Sequence, residues 1–300
     1  MSWPCDHGQG FSPPENSALR FQMSGPPTNP DRSEGAPAIS ASQHNREFYD
    51  QSAKEAYADG APHLKHGTIR ALYDRLLHEA MADCSGRRVL DLGAGNGQIT
   101  KWFIGRGALV TAVDISQAQL GELKTACPDA DGRLSVHCGD AAVFVAESAD
   151  SWDVIVANSF LHHVPDYTAL VLGASQKLVP GGRLITFQDP MRYNALSWSS
   201  RIFSAFAYFC WRIVQRDVVS GFLRHIRRSF GRYDPDSMHD NAEYHVVRNG
   251  VDHIALEQRL LAMGLDVQVI HYFSAHASWC QRVGEMMGMV NHFALVVKKR

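Results

Sequence analysis

The chain is poor in the features that mark a metal site, a secreted scaffold or a nucleic-acid binder. Its six cysteines, Cys5, Cys84, Cys127, Cys138, Cys210 and Cys280, form no CxxC or CxH pair. Neither a zinc site nor a disulfide framework is indicated, and the thiols are expected to be reduced and mostly buried. No metal is expected. The N-terminal MSWPCDHGQG has neither the basic nor the apolar region of a secretory signal, so the cytoplasm is the expected location. An excess of charge of one sign is also lacking: 29 Lys and Arg stand against 31 Asp and Glu, a net charge of -2. No global field draws the chain onto a polyanion, and nucleic acid is not the expected partner. One apolar segment, residues 195–215, approaches the length of a membrane span, but Arg201 and Arg212 within it argue against stable insertion.

What is present is a chain of 300 residues with 45% hydrophobic content, enough for a sizeable core. Residues 1–42 are rich in Pro, Gly, Ser and Asn and read as a disordered tail. Residues 43–300 read as one domain. Two helices, Asn45–Ala58 and Gly67–Ala82, come first; Ile69, Leu72, Tyr73, Leu76 and Leu77 make one face of the second. Then β-type runs alternate with helical stretches, the pattern of a parallel sheet covered on both faces. The expected strands are 88–92, 109–113, 134–138, 152–157, 183–188, 266–272 and 293–298. This predicts an α/β, Rossmann-like, seven-stranded doubly wound sheet. A helical insertion over residues 190–250 separates the fifth strand from the sixth and is the candidate lid.

The strongest local signal is VLDLGAGNGQIT, Val89–Thr100, where a strand runs into Gly93, Gly95 and Gly97 and then into a helix. Glycine there permits a sharp turn and lets a ligand approach the backbone. The dinucleotide fingerprint is GxGxxG, whereas the spacing here is GxGxG. Asp91 precedes the loop, and a carboxylate facing it would repel a pyrophosphate but suit the cationic amino group of S-adenosylmethionine (SAM). With these residues the sequence resembles the class I SAM-dependent methyltransferases, particularly the group with the ubiquinone and menaquinone enzymes and many natural-product enzymes. The resemblance runs from about Asn45 to Phe187. It implies that Asp114, in AVDIS, holds the ribose hydroxyls with Ile115 packed on the adenine. It likewise implies that Asp140 and Ala141 receive the adenine amino group, and that Asn158 and Ser159 lie under the methionine moiety. The loop residue Ala94 joins Gly93, Gly95 and Gly97 in the cofactor set. LVPGGRLITF resembles the family's Pro-Gly-Gly turn before its fifth strand. Tyr49 and Tyr57 match an N-terminal pattern that closes over the cofactor.

Several residues carry two readings. Asp140 could cap the following helix instead of binding adenine. His162 and His163 follow the fourth strand, where ligands gather in such sheets, and one could act as a general base; equally, they could only shape the pocket. Asp189 either points at the acceptor or serves a turn with Pro190. His225, His239, Tyr244 and His245 are weaker candidates. The aromatic segment reads as core packing combined with an apolar wall for the substrate. The arginines of GFLRHIRRSFGR could receive an anionic group on the acceptor, or be a solvated face.

These readings converge on an enzyme that transfers a methyl group from SAM, leaving S-adenosylhomocysteine, to a small and partly hydrophobic biosynthetic or secondary-metabolite acceptor. Any self-association is expected to be a homodimer. Competing readings are an RNA methyltransferase, a SAM-binding protein with a pericyclase-like or structural role, and a nicotinamide-dependent dehydrogenase.

Overall fold

The computed structural model describes residues 41–52, 66–81, 83–128, 130, 132–214, 244–246 and 249–300. The expected tail, Tyr57, His225, His239 and the arginine-rich run lie outside the described residues. The chain divides into Met1–Ala38 and Ile39–Arg300, and all described residues belong to the second unit.

Seven strands form one sheet: β1 (Arg88–Leu92), β2 (Leu109–Asp114), β3 (Leu134–Cys138), β4 (Trp152–Asn158), β5 (Leu178–Pro190), β6 (Asp266–Tyr272) and β7 (His292–Lys298). Their order is β3-β2-β1-β4-β5-β7-β6. Each agrees closely with an expected strand except β5, which begins earlier because Leu178 already pairs with Trp152 before a register shift carries Arg183 opposite Val154. One expectation is corrected. The sheet is mixed, since β7 runs antiparallel to both β5 and β6. Alternation of strand and helix carries no information on direction, and antiparallel neighbours need no crossover over the sheet face.

Nine α-helices lie among the described residues: α1 (Ala41–Ser52), α2 (Gly67–Ala80), α3 (Gln98–Ile104), α4 (Gln117–Ala126), α5 (Ala141–Glu147), α6 (Tyr167–Gln176), α7 (Trp198–Val214), α8 (His253–Ala262) and α9 (Ser278–Met286). Short polar side chains start several of them by accepting from backbone N–H groups that have no helical partner. Ser116 caps α4 through Gln119 N at 3.2 Å, Asp166 caps α6 through Ala169 N at 2.9 Å, and Asp252 caps α8 through Ala255 N at 3.1 Å. The main core lies between the sheet and α5, α6 and α8, around Trp152, Leu161, Leu170, Leu256 and Phe293. A second core packs Leu77, Phe103 and Ile104 on the other side of β1, β2 and β4.

Helix α7 is the longest described element of the expected lid over residues 190–250. It buries Phe203, Ala207 and Cys210 against Phe273, Ala275, Cys280 and Met289. Asn291 Nδ2 also donates to Ser204 Oγ at 3.3 Å, and Val290 N to Ser200 Oγ at 3.2 Å. The helix therefore packs on the connection from β6 to β7. There α7 acts as a buttress, and it supplies none of the residues that line the main cleft.

Candidate functional site

The three glycines after β1 all have positive φ, +70°, +52° and +86°, and their surroundings differ. A Cβ on Gly93 would lie 2.2 Å from the Phe160 ring, and one on Gly97 would lie 2.2 Å from Leu123. A Cβ on Gly95 would meet nothing nearer than Gln119 Oε1 at 4.0 Å. Gly93 and Gly97 thus serve packing, whereas Gly95 opens onto space.

That space is a cleft of about 870 Å³, counting the part open to solvent, at the carboxyl ends of β1, β2 and β4. Of the residues singled out in the sequence, Gly93, Ala94, Gly95, Asp114, Ile115, Asn158, Ser159, His163 and Tyr49 line it, and Asp91 and Gly97 do not. Asp114 ends β2 inside the cleft. Its Oδ2 accepts from Gly95 N and its Oδ1 from Ser116 N, both at 2.8 Å, so one carboxylate ties the glycine turn to the start of α4. Burial pushes its pKa up, hydrogen bonds from Ser116, Gly95 and Ile115 counter this only in part, and the nearby Asp50 adds to the rise.

Asp91 lies behind this wall, fully buried, with Thr100 Oγ1 donating to its Oδ2 at 2.6 Å. Its other oxygen, Oδ1, has no protein partner. Burial raises its pKa to about 7; the Thr100 hydrogen bond opposes the rise and Asp114 adds to it. Asp140 sits at the N-terminus of α5, where its Oδ1 accepts from Ala142 N at 2.8 Å and Val143 N at 3.4 Å. Neither Asp140 nor Ala141 is among the cleft-lining residues.

The histidines divide. His163 lines the cleft, with Tyr49 Oη 2.9 Å from its Nε2. His162 turns inward: its backbone N and its Nδ1 approach Asp189 Oδ1 at 3.1 and 2.8 Å, and both residues are buried. The two imidazole rings are 3.9 Å apart, centroid to centroid. His245 braces the same loop by donating its N–H to His162 O at 2.7 Å, and its ring lies against Tyr167, while Tyr244 packs edge-on beside it. Ser159 has φ +51°, a conformation costly for a residue with a Cβ and held here by its N–H bond to Phe187 O at 2.7 Å.

Sequence reasoning missed the role of α1 beyond Tyr49. Asn45 Nδ2 donates to His163 O at 3.2 Å, and Asp50 Oδ1 accepts from Ser116 Oγ at 2.5 Å and Ala118 N at 3.3 Å. This helix therefore clasps both rims of the cleft. The spacing of Asn45 and Tyr49, one helical turn apart beside Asp50, was the available signal.

The open sheet with its ligand-sized crevice at the strand ends defines a Rossmann-like protein of the class I methyltransferase fold. Residues 90–186, about a third of the chain, match the family "Methyltransferase domain". A ubiquinone biosynthesis O-methyltransferase of Aromatoleum aromaticum is 32% identical over 103 residues, 34% of this chain and 44% of that protein. One from Idiomarina loihiensis is 30% identical over 120 residues, 40% of this chain and 49% of its own length. The chain thus spans about half the length of the curated relatives it matches. Among solved structures, magnesium protoporphyrin IX methyltransferase from Synechocystis PCC 6803 shares the fold with a TM-score of 0.52 at 12% identity, over 89% of this chain and 100% of that one.

Proposed function

We propose that the cleft binds SAM and that the chain transfers the methyl group to a small, partly hydrophobic organic acceptor, with a hydroxyl oxygen as the receiving atom. The observation that carries this reading is the Asp114 carboxylate, set inside the cleft between the Gly95 turn and the start of α4. An acid there suits the ribose hydroxyls of a nucleoside, and the GxGxG spacing with Asp91 before it disfavours a pyrophosphate. Two further features fit a sulfonium nucleoside with a free amino group. Gly95 leaves a cradle that any side chain would fill, and Asp91 keeps a buried carboxylate oxygen without a partner.

In this reading Asp91, Gly93, Ala94, Gly95, Gly97, Asp114, Ile115, Asp140, Ala141, Asn158, Ser159 and Tyr49 hold the cofactor directly or shape its bed. When bound, SAM supplies a methyl group activated for in-line displacement. In this reading His163 takes the acceptor's proton, a role supported by its being one of the residues that line the cleft. Tyr49 orients that ring. His162 and Asp189 hold the loop that carries His163, and so act as positioning residues. The O-methyltransferase names of the relatives support an oxygen acceptor, and phenolic compounds are the first class to test.

The test is methyl transfer from isotopically labelled SAM to a panel of phenols, amines and carbon acids, read by mass spectrometry. The account expects labelled ether products, and a His163→Ala variant that still binds SAM but turns over at least about a hundredfold more slowly. Labelled products only from amines or carbon acids, or undiminished turnover by His163→Ala, would contradict it.

A further inference from the structure

Helix α7 is apolar on two faces. One face packs on the connection from β6 to β7 through Phe203, Ala207 and Cys210. The other carries Trp198, Ile202, Phe206, Phe209 and Ile213, which recur at three- and four-residue steps and fall on a single stripe. These five are between 47% and 77% exposed, and Trp279 of α9, 51% exposed, extends the stripe through an edge-on contact with Phe206 at 5.9 Å. Singly exposed apolar residues are ordinary, but a contiguous aromatic stripe marks a surface that something covers.

Charge decides what covers it. Helix α7 itself contains Arg201 and Arg212 and no acid. Apolar and aromatic side chains on one stripe of a helix that itself carries arginine and no acid suit the boundary between the headgroups and acyl chains of an anionic bilayer. Nucleic acid would call for arginine within the stripe, and the stripe has none. No helix among the described residues is long and apolar enough to cross a membrane, so the contact would lie in the plane of the interface.

We propose that the exposed stripe of α7, continued by Trp279, docks on anionic lipid membranes. The test is co-sedimentation of the full chain with vesicles of phosphatidylcholine alone and of phosphatidylcholine mixed with phosphatidylglycerol. Binding is expected to the mixed vesicles, to weaken as salt is raised, and to shift tryptophan emission to the blue. A triple variant, Ile202→Ser with Phe206→Ser and Phe209→Ser, should partition roughly tenfold or more weakly. Should that variant lose its native circular dichroism spectrum, the single Phe209→Asp carries the same test. Failure of the wild type to bind mixed vesicles would overturn the proposal. So would a dimer in solution that the same substitutions dissociate, which would give the stripe to a second copy of the chain. Binding to single-stranded RNA that the substitutions abolish would give it to nucleic acid instead.

Discussion

At the residue scale, the buried carboxyl of Asp91 is the clearest case of stability given up at a site. In the folded chain it ionises near 7, whereas the ordinary value is 3.8. Between those values the unfolded chain loses a proton that the native chain keeps, so this group lowers stability as pH rises from 3.8 toward about 7, and the loss is complete above that. Asp91→Asn keeps an acceptor for Thr100 and removes the charge. It should raise stability at pH 8 by on the order of 1–3 kcal/mol and flatten the slope of melting temperature against pH over that interval. The same variant should bind SAM more weakly. A melting curve as steep with pH as the wild type's would count against the assignment.

The glycines give a second contrast at this scale. Gly95→Ala strains a φ of +52° and places a methyl group in open space, so the fold should lose about 1–2 kcal/mol while SAM affinity drops further. Gly97→Ala drives its Cβ into Leu123, and its main effect should be on stability. Thermal melting beside calorimetry separates the two. If both variants lose affinity in proportion to stability, Gly95 has no special relation to the ligand.

At the element scale, α1 is tied by Asp50 to the start of α4 and by Asn45 and Tyr49 to the His163 loop. Asp50→Ala removes the bond to the Ser116 hydroxyl and leaves the sheet untouched. It is expected to raise the dissociation constant for SAM by roughly three- to tenfold with little change in melting temperature, as for loss of one or two modest hydrogen bonds. Unchanged affinity would show that α1 is not part of the cleft's closure.

The strands were legible in the sequence because each is a short β-type run between turn residues, and the cleft was legible because Gly93–Gly97 and Asp114 follow two of them. The direction of β7 was not, since a buried strand reads the same in either orientation. The pairing of His162 with Asp189 was also hidden, because it joins residues far apart in sequence across the ends of β4 and β5. Asp140 illustrates a different limit: one aspartate before a helix satisfies both a capping and a ligand reading, and its capping bonds are what the fold displays.

At the scale of the whole molecule, two surfaces of different character share one domain. The cleft at the strand ends is lined by carboxylate, amide and imidazole groups, while α7 presents an aromatic stripe on a helix with two arginines and no acid. Packing α7 on the connection from β6 to β7 sets it apart from the cleft wall, so changes on the stripe should leave SAM affinity within about twofold of the wild type. Calorimetry on the triple variant checks this. A larger loss would mean that the two surfaces are coupled.

The central claim is that the carboxylate closing β2 grips a sulfonium nucleoside, and isothermal titration calorimetry measures it most directly. The wild-type chain should bind SAM and give no heat with NAD, and Asp114→Ala should weaken SAM binding by about 2 kcal/mol or more. Equal affinity of wild type and Asp114→Ala for SAM, or saturable binding of NAD, would contradict it.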